Sequence, residues 1–284
     1  MKIFQALKKA ESLLKSEGLS TPRLDAEVLL CHAIGKDKNY LYKSPEIFLS
    51  ADELELFQVL VERRCGREPV AYIVGQKEFW SLDLEMQRGV LIPRPDTEAV
   101  VEEVLRIGHA MNSVGMKILD VGTGSGAIAI SLAVQLEDSM IVAVDTSMEA
   151  LQIARRNAEK YEMDERIHFL CGNLLKPLSG KFDIVVSNPP YLSEAEFEGL
   201  PDEIREFEPK EALLSGRSGI ECHEKLIGDA KNCLKSGGWL VMEIGWGQAE
   251  ALEQILRNDG SYGDILFHRD LGGRERVVSA RIDG

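Results

Sequence analysis

Residues 117–133 read Lys-Ile-Leu-Asp-Val-Gly-Thr-Gly-Ser-Gly-Ala-Ile-Ala-Ile-Ser-Leu-Ala. An apolar run leads into a turn with glycine at every second position and then into a stretch without helix breakers. A buried strand entering a helix through such a turn is one half of a βαβ unit, and it commits the chain to a sheet covered by helices. Glycines let backbone approach a ligand closely and take positive φ, and the helix start beyond them presents unpaired N–H groups. The dinucleotide spacing would be G-x-G-x-x-G. Here it is Gly122, Gly124 and Gly126, with Asp120 leading the turn. The next predicted strand, Met140 to Asp145, ends in an acid 19 residues after Gly126. An acid at that strand end can accept hydrogen bonds from ribose hydroxyls. A plain tight turn without a ligand is the competing reading.

About seventy residues after Lys117, the apolar run Phe182-Asp183-Ile184-Val185-Val186 gives way to Ser187-Asn188-Pro189-Pro190-Tyr191. Asn188 offers a neutral side-chain acceptor. Each proline fixes φ near −65° and lacks an N–H, so the Pro189 carbonyl is held in a rigid turn. Tyr191 adds a flat aromatic face. Two fixed acceptors and a stacking face suit a planar –NH₂ group, whose hydrogens they can bind while its lone pair stays free to attack. Pro-Pro after a strand also serves as simple punctuation. Glycine turn, strand-end acid and Asn-Pro-Pro-Tyr in that order point to chemistry on an amino nitrogen.

The organisation reads as two parts. Residues 1–76 look helical: Ile3 to Leu14, then a helix opened by Thr21 as cap and Pro22 at its first position, with Leu24, Val28, Leu29 and Ala33 at helical spacing, then a helix from about Ala51 to Arg64. Arg63-Arg64 is the pair of adjacent arginines in this part. Residues 77–92 alternate as a hairpin-like linker. From 93 to 284 strands and helices alternate, with strands expected near 117–121, 140–145, 166–170, 182–187, 239–244, 264–268 and 275–281. The last two lack a long helix between them and should form an antiparallel edge hairpin.

Charge and cysteine usage narrow the function classes. Residues 1–80 hold 12 basic and 12 acidic side chains, so the net charge of −14 arises entirely in 81–284, with 21 against 35. Eight acids fall between Glu194 and Glu211, directly after the Asn-Pro-Pro-Tyr turn. An acidic rim there would repel polyphosphate, since nucleic-acid binding depends on Lys and Arg against phosphates; a solvated helix face is the alternative. No direct nucleic-acid binding is expected. The five cysteines are odd in number and form no C-x-x-C pair, which suggests a reducing compartment and no metal site. Cys222-His223 are adjacent, and neighbours on a helix do not face one another. No apolar run reaches membrane-spanning length and the start carries charges, so a cytoplasmic protein without membrane association is expected.

Further stretches sharpen the picture: Arg67-Glu68-Pro69-Val70-Ala71-Tyr72-Ile73-Val74-Gly75, Glu78-Phe79-Trp80, Gly89-Val90-Leu91-Ile92-Pro93-Arg94-Pro95-Asp96-Thr97-Glu98, Glu208-Pro209 with Ala212-Leu213, Glu243-Ile244-Gly245 with Gln248, and Asp270-Leu271-Gly272 with Arg274. With these the chain resembles the class I S-adenosylmethionine-dependent methyltransferases that modify –NH₂ groups. More narrowly it resembles the protein-(glutamine-N5) methyltransferases that act on peptide-chain release factors. The likeness runs from about residue 20 to the end. Asn173 stands where such enzymes often carry an acid, and Ser81 and Ser215-Gly216-Arg217 where glycine is expected.

The resemblance implies a seven-stranded, Rossmann-like α/β sheet preceded by a small helical domain that docks the substrate. It implies S-adenosylmethionine as methyl donor, S-adenosylhomocysteine as product and no metal. Gly122, Thr123, Gly124, Ser125, Gly126, Asp145, Asn173, Leu174 and Asn188 would hold the cofactor, and Asn188, Pro189, Pro190 and Tyr191 would form the catalytic turn. The implied substrate is the glutamine of a release factor's Gly-Gly-Gln loop. Arg94 and Glu98 could pair as a lid or pin the linker. An adenine or guanine amino-methyltransferase would use the same turn but needs a basic stripe or target-recognition domain. A small-molecule methyltransferase would leave the helical part without a purpose. A non-catalytic S-adenosylmethionine-binding regulator could dispense with Asn188.

Overall fold

A computed structural model describes residues 1–111, 115–173, 180–270 and 272–283. In chain order the helical start holds α1 (Ile3–Ser16), α2 (Pro22–Ile34), α3 (Lys38–Lys43), α4 (Ala51–Cys65) and α5 (Val70–Val74). There follow β1 (Gln76–Phe79), β2 (Leu82–Glu85), α6 (Glu98–Met111), β3 (Lys117–Val121), α7 (Ala127–Gln135), β4 (Met140–Asp145), α8 (Met148–Lys160) and β5 (Ile167–Cys171). The remainder is β6 (Phe182–Ser187), β7 (Leu192–Ser193), α9 (Glu194–Glu198), α10 (Asp202–Arg205), β8 (Leu214–Gly216), α11 (Glu221–Cys233), β9 (Leu234–Glu243), α12 (Ala249–Asp259), β10 (Tyr262–Arg269) and β11 (Glu275–Ile282). These group into two units, Met1–Gln76 with Pro201–Phe207, and Lys77–Leu200 with Glu208–Gly284. Among the described residues, no helix is long and apolar enough to cross a membrane.

The first unit packs α1, α2 and α4 around Ile3, Leu7, Leu14, Leu29, Leu30, Phe57 and Leu60. Ser50 and Glu53 form a capping box at the start of α4, and Gly35 closes α2 in the left-handed conformation. Two expectations about α2 need correction. Its inward face is Ala26, Leu29 and Leu30, while Leu24 is exposed. Thr21 occupies the cap position but makes no capping bond. Its hydroxyl donates instead to Asp25 Oδ1 at 2.7 Å, drawn by a buried carboxylate. The other oxygen of Asp25 accepts from Arg64 Nε at 2.7 Å, and Arg64 Nη2 reaches Glu203 at 2.7 Å. Arg63 pairs with Glu68 at 2.6 Å. Both members of the basic pair therefore hold the unit together.

The second unit is built on a seven-stranded sheet in the order β10-β11-β9-β6-β3-β4-β5. Strands β9, β6, β3, β4 and β5 run parallel, and β11 is antiparallel to both β9 and β10. The expected hairpin forms, but β10 is the edge and β11 is inserted beside β9. Alternate residues of the central strands feed opposite cores. Ile118, Ile184 and Val186 pack with α6 and α7, while Leu119, Val121 and Val185 pack with α11 and α12. With both faces covered, the strands read as continuous apolar runs, and every residue of β6 is buried. Strand β9 starts five residues before its expected position. The hairpin of residues 77–92 is not a free linker: β1 pairs with β2, and Phe79 and Leu84 lie in the core under α6. The pairing of β7 with β8 was not foreseen, being too short to show a period.

Candidate active site

The parallel strands β3, β4 and β6 end at one edge of the sheet, where a cleft of about 600 Å³ opens. Open α/β sheets place ligands at that edge, since the chain leaves each carboxyl end through a loop. Gly122 and Gly124 line the cleft at φ +74° and +57°. A Cβ on either would meet no atom within 4 Å, so the turn leaves a cradle open above it. Its N–H groups are largely used inside the protein: Gly122 and Thr123 donate to Val144 O, and Gly124 donates to Asp145 Oδ2 at 2.9 Å. A turn spent this way suits a ligand without a pyrophosphate. Asp145 also accepts from Ser147 N at 2.9 Å, so two backbone donors hold its carboxylate at the cleft wall.

The predicted cofactor residues divide. Gly122, Gly124, Asp145, Asn173 and Asn188 line the cleft, joined by Val90, Leu91, Glu149, Ala212 and Lys225. Thr123, Ser125 and Gly126 sit behind the wall. Thr123 is buried and donates to Asp120 Oδ2 at 2.6 Å. Ser125 is buried, its carbonyl accepting from Asn157 Nδ2. Gly126 caps α7 at φ +83°, and a Cβ there would lie 3.2 Å from Ala154 Cβ of α8 and 2.9 Å from Ile130 Cδ1, so both conformation and packing favour glycine. Leu174 falls outside the described residues. Asp120 is fully buried with Oδ1 unbonded, and burial pushes its carboxyl up to about 7.

The Asn-Pro-Pro-Tyr turn leaves β6 beside the glycine turn. Asn188 and Pro190 line the cleft; Pro189 is buried and, like Tyr191, is not among the lining residues. Asn188 Nδ2 donates to Thr97 Oγ1 at 3.0 Å, leaving Oδ1 as the amide atom without a hydrogen bond among the described residues. The Tyr191 hydroxyl lies against Glu243, and burial followed by that charge pushes its pKa upward, so it stays a donor. Its carbonyl accepts from Gln248 Nε2 at 2.8 Å, while Gln248 Oε1 accepts from Gly245 N at 2.8 Å.

The stretch at 89–98 braces this arrangement. Arg94 does not pair with Glu98. It bonds Glu208 at 2.5 Å, and Glu208 also accepts from Ile92 N at 3.2 Å. Glu98 accepts from Trp80 N at 3.0 Å, pinning the hairpin instead. Nor do the eight acids from Glu194 to Glu211 form one face. Glu196 caps α9, Glu203 meets Arg64, Glu208 is buried against Arg94, and Glu211 lines the cleft. Cys222 and His223 diverge as expected: Cys222 lines the cleft, while His223 is buried with Nε2 2.8 Å from Glu243 O.

Residues 5–75 match the PrmC N-terminal domain family and residues 105–201 the methyltransferase small domain family. A release factor glutamine methyltransferase of Geobacter sulfurreducens is 41% identical over 271 residues, covering 95% of this chain and 93% of that one. One of Rhodopirellula baltica is 38% identical over 281 residues, covering 98% and 95%. The chain belongs to the release factor glutamine methyltransferase family. A solved methyltransferase of Pyrococcus furiosus, 18% identical with a TM-score of 0.53 over 80% of this chain and 98% of that one, shares the fold.

Within this family frame, two residues at the turn escaped sequence reasoning as site members. Thr97 and Glu243 occur in stretches that carry the family likeness, but only the folded chain sets them beside Asn188 and Tyr191. A buried carboxylate ending a strand was the one signal available.

Proposed function

We propose that this chain methylates the side-chain amide nitrogen of a release-factor glutamine, with the reacting amide held by the Asn-Pro-Pro-Tyr turn. The observation that carries the reading is the Asn188 amide. Its nitrogen is tied to Thr97, its oxygen is left to the cleft, and it sits at the strand edge beside the glycine turn. S-adenosylmethionine would supply an electrophilic methyl group. Gly122 and Gly124 would give it close backbone approach, and Asp145 would accept from its ribose hydroxyls. The donor set fits: an open glycine cradle, a carboxylate fixed by two backbone bonds, and N–H groups of Gly122, Thr123 and Gly124 already spent inside the protein.

An amide nitrogen is a poor nucleophile because its lone pair is delocalised into the carbonyl. Asn188 Oδ1 and the Pro189 carbonyl would accept its two hydrogens and favour a more tetrahedral nitrogen. Their pull is strongest as positive charge develops on that nitrogen, so they stabilise the transition state more than the bound substrate. The methylated nitrogen then sheds one proton to water. Positioning supplies much of the remaining acceleration. Residues 1–76 would dock the body of the factor while its glycine-rich loop enters the cleft.

The deciding experiment incubates the chain with labelled S-adenosylmethionine and an intact release factor, then maps the label by mass spectrometry. One methyl on the Gly-Gly-Gln glutamine is expected, at a far higher kcat/KM than for an isolated Gly-Gly-Gln peptide, because remote contacts help orient the reacting centre. Label on an adenine or guanine amino group would overturn the protein substrate. Asp145→Ala should weaken S-adenosylmethionine binding by roughly 1.5–3 kcal/mol for each charge-assisted bond lost. Titration calorimetry reads this directly, and an unchanged affinity would remove Asp145 from the ribose site.

A further inference from the structure

Glu243 ends β9, and the register pairs Met242 with Ser187 of β6, which sets Glu243 beside Asn188. It is fully buried, as is Thr97 nearly so. Neither Glu243 oxygen completes a hydrogen bond of good geometry, yet the hydroxyls of Thr97 and Tyr191 lie beside them. Hydrogen bonds of functional sites are often long or poorly aligned before substrate binds and tighten in the complex. A carboxamide has nearly the same shape either way round, so sterics alone do not choose which end of Asn188 faces the cleft. The choice falls to Thr97. Its oxygen accepts from Asn188 Nδ2 only while its single proton points elsewhere.

We propose that Glu243 is a positioning residue for methyl transfer: as a carboxylate it accepts the hydrogen bond of the Thr97 hydroxyl, which leaves the Thr97 oxygen an acceptor for Asn188 Nδ2 and keeps Asn188 Oδ1 toward the cleft. The inference rests on reading Asn188 as the acceptor for the substrate amide. When Glu243 is protonated, it can donate to Thr97. The Thr97 proton is then free to point at Asn188, and the amide can turn its –NH₂ toward the substrate's own N–H groups, donor against donor.

The surroundings allow such a switch. Arg276 enters from β11, where Val277 pairs with Glu243, but its ion pairs go to Asp96 at 3.0 Å and Asp270 at 3.6 Å. Asp96 adds like charge beside Thr97, and His223 meets Glu243 through its backbone carbonyl, 2.8 Å from Nε2, with burial pushing the imidazole pKa down. Burial is the largest influence on Glu243 and outweighs Thr97, Arg276 and Tyr191, so its carboxyl is pushed up to about 7. The ionised form, and with it the productive amide, should therefore be lost as the pH falls through about 7.

The test measures kcat, KM and S-adenosylmethionine affinity of the full-length chain with an intact release factor. Thr97→Val should lower kcat by about 10- to 100-fold, by analogy with partners that orient metal-ligating side chains, with cofactor affinity retained. Thr97→Ser should recover most of that loss. Glu243→Gln should lower kcat and flatten the acid limb of its pH profile; since Asp120 titrates in the same range and remains in this variant, a limb that persists unchanged would assign the titration to Asp120 and overturn the proposal. If Glu243→Gln fails to fold, the Thr97 pair decides. Wild-type kcat in Thr97→Val alongside an inactive Asn188→Ala would sink the relay and leave the acceptor reading standing. Full activity in Asn188→Ala would remove that reading, and the relay with it.

Discussion

Replacing Asn188 by alanine should lower the methyl-transfer rate by about 10²–10³-fold, by analogy with the loss of one preorganised oxyanion-hole donor. Cofactor binding should change much less. The lost oxygen is one of two acceptors proposed for the substrate amide, and it acts hardest when the nitrogen becomes positive. The effect belongs in kcat and kcat/KM together, which is how the loss of an interaction made only in the transition state appears. Single-turnover transfer to a release factor, with cofactor affinity measured in parallel, checks it. Normal turnover would reduce Asn-Pro-Pro-Tyr to a structural turn.

Arg64→Ala should destabilise the helical unit by about 3–5 kcal/mol, the usual result of removing one partner from a buried ion pair. The guanidinium is buried on α4 between Asp25 of α2 and Glu203 of the returning segment 201–207, and it also donates to Glu68 O at 3.1 Å. Its loss strands the Asp25 carboxylate, which keeps only the Thr21 hydroxyl. Hydrogen exchange of the α2 and α4 amides in the full-length chain gives the local free energy. A change below about 1 kcal/mol, the level of an exposed pair, would show that water screens the site.

The order of elements was legible because their signals are local. A glycine triplet after Asp120, apolar runs of strand length and Pro-Pro after β6 restrict φ, ψ and burial within a few neighbours. Five of the seven sheet strands fall within a residue of their expected bounds at both ends. The misses have physical causes as well. Thr21 was read as a cap from its type and position, but a buried carboxylate four residues on offered its hydroxyl a better partner. Leu24 fits the helical spacing of α2 yet faces solvent, since α2 buries Asp25 and Glu27 on its packed side and the apolar period is blurred.

The sequence by itself determined the βαβ architecture, the glycine cradle, the acid at the end of β4 and the Asn-Pro-Pro-Tyr turn, all written in short patterns that steric rules translate directly. Only the tertiary structure decided which polar groups brace that site. Arg94 takes Glu208 over Glu98, Asn188 meets Thr97 across 91 residues, and Gln248 holds Tyr191 across 57; in the helical unit, separately, Arg64 reaches Glu203 across 139. Such pairs have no period and no spacing rule. They exist because the strand order 11-9-6-3-4 in the sheet and the return of residues 201–207 to the helical unit bring distant groups together in part-buried places, where a polar atom that loses water takes whichever partner the fold has delivered.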